Sequence, residues 1–170
     1  MSKTRKMAVI CLIAAIYSVI SLVLAPITYG PIQCRIAEAF NLLPLIYAPS
    51  AYGVILGCFL TNLIGVMTGS DVMVIDVVIG TMATAIAVWG VIRFRDVKFK
   101  GIPWLSALMP VIANGVIVGT ELGYFYYADN FVIGSVISGL EVAAGEIIAM
   151  IVGLILNKAL EKTKVFEKLK

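Results

Sequence analysis

The sequence contains no histidine and only three cysteines, and these shortages limit the chemistry it can perform. Cys11 and Cys58 fall inside apolar runs and Cys34 falls in a polar segment, so we expect no intrachain disulfide. The cysteines also lack the spacing of metal ligands. Without histidine, and without two acids on one helix face, an enzyme has little support. We therefore expect no catalytic residue, no metal and no cofactor.

Charge is also scarce. Charged residues make up 14% of the chain, hydrophobic residues make up 61%, and the mean hydropathy is +1.04. Such values exclude an ordinary soluble domain and indicate an integral membrane protein. No G-x-x-x-x-G-K-[ST] phosphate loop occurs, so ATP-driven uptake would need partner subunits. The first apolar run, residues 7–27, is too long for a signal h-region and predicts a retained anchor.

Apolar runs of about the length needed to cross a bilayer recur along the chain. We predict an all-α membrane protein in which residues 1–170 form one six-helix substrate-binding domain. The predicted spans are residues 7–27, 36–48, 50–68, 72–93, 103–126 and 132–157. The second span is short, and it is separated from the third only by Pro44, Pro49 and the small residues near them.

The basic residues decide between five spans and six. With six spans and a cytoplasmic N-terminus, twelve of the thirteen basic residues lie in the cytoplasm, as the positive-inside rule requires. Five spans would place the basic loop at residues 93–100 on the outer side instead. We therefore predict six spans, with both the N-terminus and the C-terminus in the cytoplasm.

A polar hinge at residues 29–38, with the sequence YGPIQCRIAE, separates the first two predicted spans. Its Arg35 is the only basic residue between positions 7 and 92, and Gln33 and Glu38 lie close to it. Fully extended, residues 28–35 would reach about 26 Å, enough to cover the mouth of a helix bundle. We predict that this segment is a substrate lid. The alternative is a connecting loop whose arginine snorkels to water.

Acids outnumber bases in the half of the bundle that we predict to face outward. Asp76, Glu121 and Glu141 fall within predicted spans, where a carboxylate is costly and is usually functional or paired. Asn114 lies two turns before Glu121 on the same helix face and can supply an amide. We predict that these residues line an outward-facing cavity, with Glu146 deeper in the last span. The alternative is that some acids pair with the hinge arginine or cap helices.

An acidic cavity of this kind suits a small polar ligand that carries hydrogen-bond donors or a positive charge. A guanine-like edge presents adjacent N–H donors to one carboxylate, and its carbonyl needs a donor such as Asn114, Gln33 or Arg35. The residues leave three classes open: a substrate-binding subunit, a self-sufficient proton-coupled carrier and a purely structural subunit. The carrier has weaker support because no inverted repeat or pair of interrupted helices is evident.

The hinge, followed by Leu42-Leu43-Pro44-Leu45, resembles the signature of the queuosine-precursor transporter family of the QueT type. Residues 12–17, 76–84 and 145–146 support the resemblance, which extends to about Gly153. The members are substrate-binding S components of energy-coupling-factor transporters. The resemblance therefore implies a subunit of a prokaryotic plasma membrane that captures a 7-deazaguanine from outside. A transmembrane T component and two cytosolic ATPases would then move the substrate.

The resemblance also implies roles for particular residues. These are Gln33, Arg35 and Glu38 in the lid or its anchoring, and Asp76 and Glu146 in the interior. S components typically show an Ala-x-x-x-Ala face on the first helix for the T component, and here Cys11-x-x-x-Ala15 takes its place. The outer acids favour the 7-aminomethyl precursor, with the cyano form, queuine, the nucleoside or another vitamin-like solute as alternatives. Besides the lipid membrane and these subunits, we expect no nucleic-acid partner.

Overall fold

The computed structural model describes residues 2–28, 34–69 and 73–166, and these residues are almost entirely helical. The helices are α1 Lys3–Val23, α2 Ala25–Thr28, a 3-10 helix Ile36–Leu45, α3 Ser50–Thr68, α4 Asp76–Arg93, α5 Trp104–Tyr126, a 3-10 turn Ala128–Asn130 and α6 Phe131–Thr163. Five of them, α1 and α3 to α6, are long and apolar enough to cross a membrane. The chain is thus a multi-pass, all-helical membrane protein.

The second predicted span differs from the prediction. Residues 36–48 were expected to form a membrane-spanning α-helix, but the structure has a 3-10 helix of 10 residues at Ile36–Leu45, which we call the return helix. At about 2.0 Å per residue it covers about 20 Å, less than the roughly 30 Å of a bilayer core. Pro44 lies inside it and has no N–H for an α-helical ladder.

The helices nevertheless run in the directions that six crossings of the bundle would give. The hydroxyl of Ser18 on α1 donates to the carbonyl of Gly57 on α3 at 3.0 Å, and Gly53 of α3 lies against Ile10 and Ile13 of α1. Because residue numbers increase together along this contact, α1 and α3 are parallel. The chain between them must therefore cross back through the bundle.

The return helix makes this crossing alongside α6. The thiol of Cys34 donates to the carbonyl of Gly145 at 3.6 Å, and the amide of Asn157 donates to the carbonyl of Leu42 at 2.6 Å. From Gly145 to Asn157, α6 rises about 18 Å, which is most of the bundle's apolar depth. Each of α4, α5 and α6 then runs antiparallel to the helix before it, so the start of α1 and the end of α6 lie at the same end of the bundle.

Glycine allows the helices to approach closely. A Cβ atom on Gly119 of α5 would lie 2.4 Å from the Cα atom of Gly139 on α6. On α3, a Cβ atom on Gly57 would lie 2.8 Å from the Cβ atom of Tyr17. Gly57 of α3 and Gly119 of α5 are therefore positions at which two helices pack in direct contact.

Candidate functional site

The return helix places a carboxylate in the interior of the bundle. Glu38 is only 2% exposed. One of its oxygens accepts a hydrogen bond from the Tyr17 hydroxyl, and the other accepts one from the Asn41 amide. Two donors from different segments therefore hold this carboxylate in place and link the return helix to α1.

Arg35 lies immediately before the return helix, with its side chain 16% exposed. Its Nη1 is 3.8 Å from Oε1 of Glu38 and donates to the sulfur of Cys58 at 3.5 Å. The guanidinium therefore points into the bundle and contacts α3. This geometry excludes the alternative in which the arginine simply snorkels to water at the outer end of α1.

Cys58 is fully buried and connects α3 to α4. Its sulfur accepts from the Thr84 hydroxyl at 3.2 Å and from the Asn62 amide at 3.7 Å. The same amide of Asn62 donates to the main-chain carbonyl of Asp76 at 2.9 Å. The sequence reasoning did not assign Tyr17, Asn41, Cys58, Asn62 or Thr84 to the site. The feature of the sequence that could have identified them is that they are polar residues within apolar runs.

Asp76 is the first residue of α4 and Glu121 lies in the last part of α5. Their carboxyl groups interact directly, and they are close enough to form a hydrogen bond when one is protonated. Glu121 is 5% exposed, and neither of its side-chain oxygens has a hydrogen-bond donor among the described residues. A Cβ atom on Gly80 would lie 3.2 Å from an oxygen of Asp76, so glycine at this position leaves room for the carboxylate.

A second carboxylate–amide pair joins α5 to α6. The amide of Asn114 donates to Oε1 of Glu146 at 2.8 Å. Glu146 is 5% exposed, and its other oxygen, Oε2, has no donor within the described part of the chain. Buried polar atoms are normally hydrogen-bonded, so an unpaired oxygen here is a free acceptor for a ligand or a water molecule.

These groups surround one small cavity of about 30 Å³. The residues lining it are Arg35, Glu38, Asp76, Gly80, Thr84, Asn114, Val118, Val142 and Glu146. We call this the acidic cavity, because three carboxylates and one guanidinium line it. Its volume fits about one water molecule.

The structure brings together five of the predicted substrate-binding residues, namely Arg35, Glu38, Asp76, Asn114 and Glu146. Glu121 touches this group through Asp76 but does not line the cavity. Glu141 lies on the exposed outer surface of α6, so the structure does not bring it to the cavity. Gln33 and most of the predicted lid lie outside the described residues. The predicted partner residues, Cys11 and Ala15, are both exposed on α1.

A family model, that of the QueT transporter, matches residues 7–162. The chain belongs to the QueT transporter family. The match covers the return helix and all of the long helices except the first four residues of α1 and the last residue of α6. The family resemblance is therefore confirmed over nearly the full chain. No curated protein and no solved structure matches the chain. A QueT transporter moves a small solute across a membrane, and the acidic cavity lies among the helices that would carry that solute.

Proposed function

We propose that the chain is the substrate-binding S component of an energy-coupling-factor importer, and that its substrate is a 7-deazaguanine precursor of queuosine, preferably the 7-aminomethyl form. One observation carries the proposal: three carboxylates, one guanidinium and one amide from four different segments converge on the acidic cavity of a QueT transporter. The proposal rests on the chemistry of these groups.

The groups match a guanine-like edge and a cationic substituent. A carboxylate accepts two adjacent N–H donors of the base side by side, and Arg35 or Asn114 donates to the carbonyl oxygen. The lining carries more negative than positive formal charge, which favours an ammonium group over a nitrile. The unpaired Oε2 of Glu146 supplies an acceptor that no described residue uses.

Binding requires the cavity to enlarge. Pockets that enclose ligands of this size typically measure about 300 Å³ or more, against about 30 Å³ here. Residues 28–35 are the proposed lid, because this segment ends at Arg35 on the cavity wall, three residues before Glu38. Its opening would expose the carboxylates to the outside.

Transport would depend on other subunits, since the sequence has no phosphate loop. A transmembrane T component would dock on the exposed face of α1 that includes Cys11 and Ala15, and two cytosolic ATPases would supply the energy. The basic loop between α4 and α5 and the basic ends of α1 and α6 lie at one end of the bundle. The positive-inside rule assigns that end, with both termini, to the cytoplasm of a prokaryotic plasma membrane.

Isothermal titration calorimetry on the purified subunit tests the proposal. The panel is the 7-aminomethyl and 7-cyano forms of 7-deazaguanine, queuine, guanine, adenine and riboflavin. We expect the 7-aminomethyl form to bind most tightly. We expect Asp76→Asn and Arg35→Ala each to weaken it at least tenfold, which is about 1.4 kcal/mol.

The matched control is Asp129→Asn, which removes an exposed acid at the same end of the bundle. It should bind like the wild type. Binding of riboflavin but of no deazaguanine would overturn the substrate assignment, and so would a control variant as weak as Asp76→Asn.

A second function has one observation in its favour. The direct interaction of Asp76 and Glu121 provides two acids that could share a transported proton, as a self-sufficient proton-coupled carrier requires. Proteoliposomes that contain the chain alone separate the two functions. Uptake driven by a proton gradient without ATPases would establish the carrier, whereas the S-component proposal expects none.

A further inference from the structure

A second, larger cavity of about 390 Å³ lies at the basic end of the bundle, far from the acidic cavity. It is lined by Leu45, Arg95, Asp96, Lys98, Gly101, Ile102, Pro103, Leu154, Ile155, Asn157, Lys158 and Glu161. These residues come from the end of the return helix, the loop between α4 and α5, and the last part of α6. We call it the basal cavity.

The loop between α4 and α5, which forms one wall of the basal cavity, has a regular turn conformation. Phe99 and Ile102 bond to each other through both main-chain N–H groups, at 2.9 and 3.0 Å. Between them, Lys100 and Gly101 both have positive φ, of 50° and 79°. This is the backbone pattern of a two-residue hairpin turn, which is short and well determined. The loop therefore holds Arg95 and Lys98 on one side of a preformed cavity.

The cavity combines a polar mouth with an apolar flank. Arg95, Lys98 and Lys158 contribute three positive charges against the two negative charges of Asp96 and Glu161, and Nε of Arg95 lies 3.7 Å from an oxygen of Asp96. Ile102 and Ile155 also line it, and they are 41% and 64% exposed on the apolar outer surface of the bundle. A ligand that fits both must carry an anionic group and an apolar tail. Basic pockets beside membrane helices bind lipid head groups in this way.

Two further features specify the head group. Asn157 lines the cavity and is 6% exposed, and its Oδ1 has no hydrogen-bond donor among the described residues. Its Nδ2 is already used by the carbonyl of Leu42. Asp96 and Glu161 add carboxylate acceptors beside the bases. These acceptors call for hydroxyl donors next to the phosphate, which a hydroxylated head group supplies.

We infer that the basal cavity is a binding site for an anionic phospholipid with a hydroxylated head group, of the phosphatidylglycerol type. The phosphate contacts Arg95, Lys98 and Lys158. The glycerol hydroxyls donate to Asn157 and the neighbouring carboxylates, and an acyl chain follows Ile155 along α6. This inference is independent of the transported substrate.

Native mass spectrometry of the detergent-purified protein tests the site, with phosphatidylglycerol, phosphatidylcholine and phosphatidylethanolamine added at equal concentration. We expect phosphatidylglycerol to bind at least fivefold more than either other lipid. The variant Arg95→Gln/Lys158→Gln should lose this preference, and Lys98→Gln should reduce it. The control Lys6→Gln/Lys162→Gln removes two charges at the same end but outside the cavity, and it should keep the preference.

Thermal unfolding gives a second measurement on the same samples. Phosphatidylglycerol should raise the melting temperature of the wild type and of the control, but not that of Arg95→Gln/Lys158→Gln. Equal binding of the three lipids overturns the inference, as does a cavity variant that retains the preference. Equal stabilisation by glycerol 3-phosphate would assign the site to a soluble phosphate ester and overturn the lipid.

Discussion

Two regions of the bundle are held together in opposite ways. Where the second half of α5 meets the first half of α6, Gly119 and Gly123 pack against Gly139 and Ser135 with almost no space between the backbones. Around Glu38, by contrast, side chains of α1 and the return helix meet through hydrogen bonds. The first region is fixed by shape. The second is held by hydrogen bonds that can exchange partners, which makes it the region able to receive a ligand.

The largest loss of folded protein is expected at the contact between α5 and α6, where steric fit alone holds the helices together. Gly119→Val places atoms 2.4 Å or less from the Cα atom of Gly139, and a backbone atom cannot move aside without separating the helices. We expect little or no folded monomer by size-exclusion chromatography. Gly115→Ala is the graded control, because its Cβ would meet the carbonyl oxygen of Gly139 at 3.2 Å. Equal recovery of the two variants would show that the contact does not fix the fold.

A smaller but still large effect is expected in the hydrogen-bonded region. Glu38→Ala removes the carboxylate that lies 3.8 Å from the Arg35 guanidinium and that accepts from Tyr17 and Asn41, and breaking a buried pair on one side costs about 3–5 kcal/mol of folding free energy. Thermal unfolding in detergent measures this loss. The double variant Arg35→Ala/Glu38→Ala should lose less stability than the sum of the single variants. Strict additivity would mean that the two residues are not coupled.

Two acids on α6 test where on the bundle the ligand binds. Glu146 faces the acidic cavity, whereas Glu141 lies on the exposed outer surface of the same helix. We expect Glu146→Gln to weaken binding of the 7-aminomethyl ligand about tenfold, or about 1.4 kcal/mol, and Glu141→Gln to change it less than twofold. Calorimetry of the two variants side by side measures both values. The reverse order would show that the ligand binds elsewhere.

The smallest effect belongs to the exposed face of α1, which is part of neither region. Cys11→Ala changes one exposed residue and should alter the free energy of unfolding by no more than about 0.5 kcal/mol. Ligand affinity should be unchanged. A cysteine held in the interior would instead give a clear loss of stability, so thermal unfolding of this variant checks that the face is free for a partner.

The sequence predicted the long helices well because their length and hydropathy are local properties. The predicted third span, residues 50–68, matches α3 residue for residue, and the fifth, residues 103–126, begins only one residue before α5. The second span was wrong in type. Whether residues 36–45 form an α-helix or a 3-10 helix depends on how they pack against α6, and composition does not reveal that.

The site was less predictable for a similar reason. Helical depth could be estimated from residue number, which led to the prediction that Asp76, Asn114, Glu121 and Glu141 line one cavity, with Glu146 deeper in the last span. Orientation about the helix axis could not be read in the same way, because α6 is apolar around most of its circumference. Glu141 was therefore expected in the cavity and lies outside it. Nothing in the sequence beyond the polarity of Cys58 indicated that it would contact Arg35.

The return helix has a consequence for how the two ends of the molecule communicate. Residues at and near its start, Arg35 and Glu38, line the acidic cavity, and its last residue, Leu45, lines the basal cavity. Most of its side chains are buried by the surrounding helices, so the return helix links the two cavities through the interior of the bundle. A change in its position along its own axis would alter the walls of both cavities together.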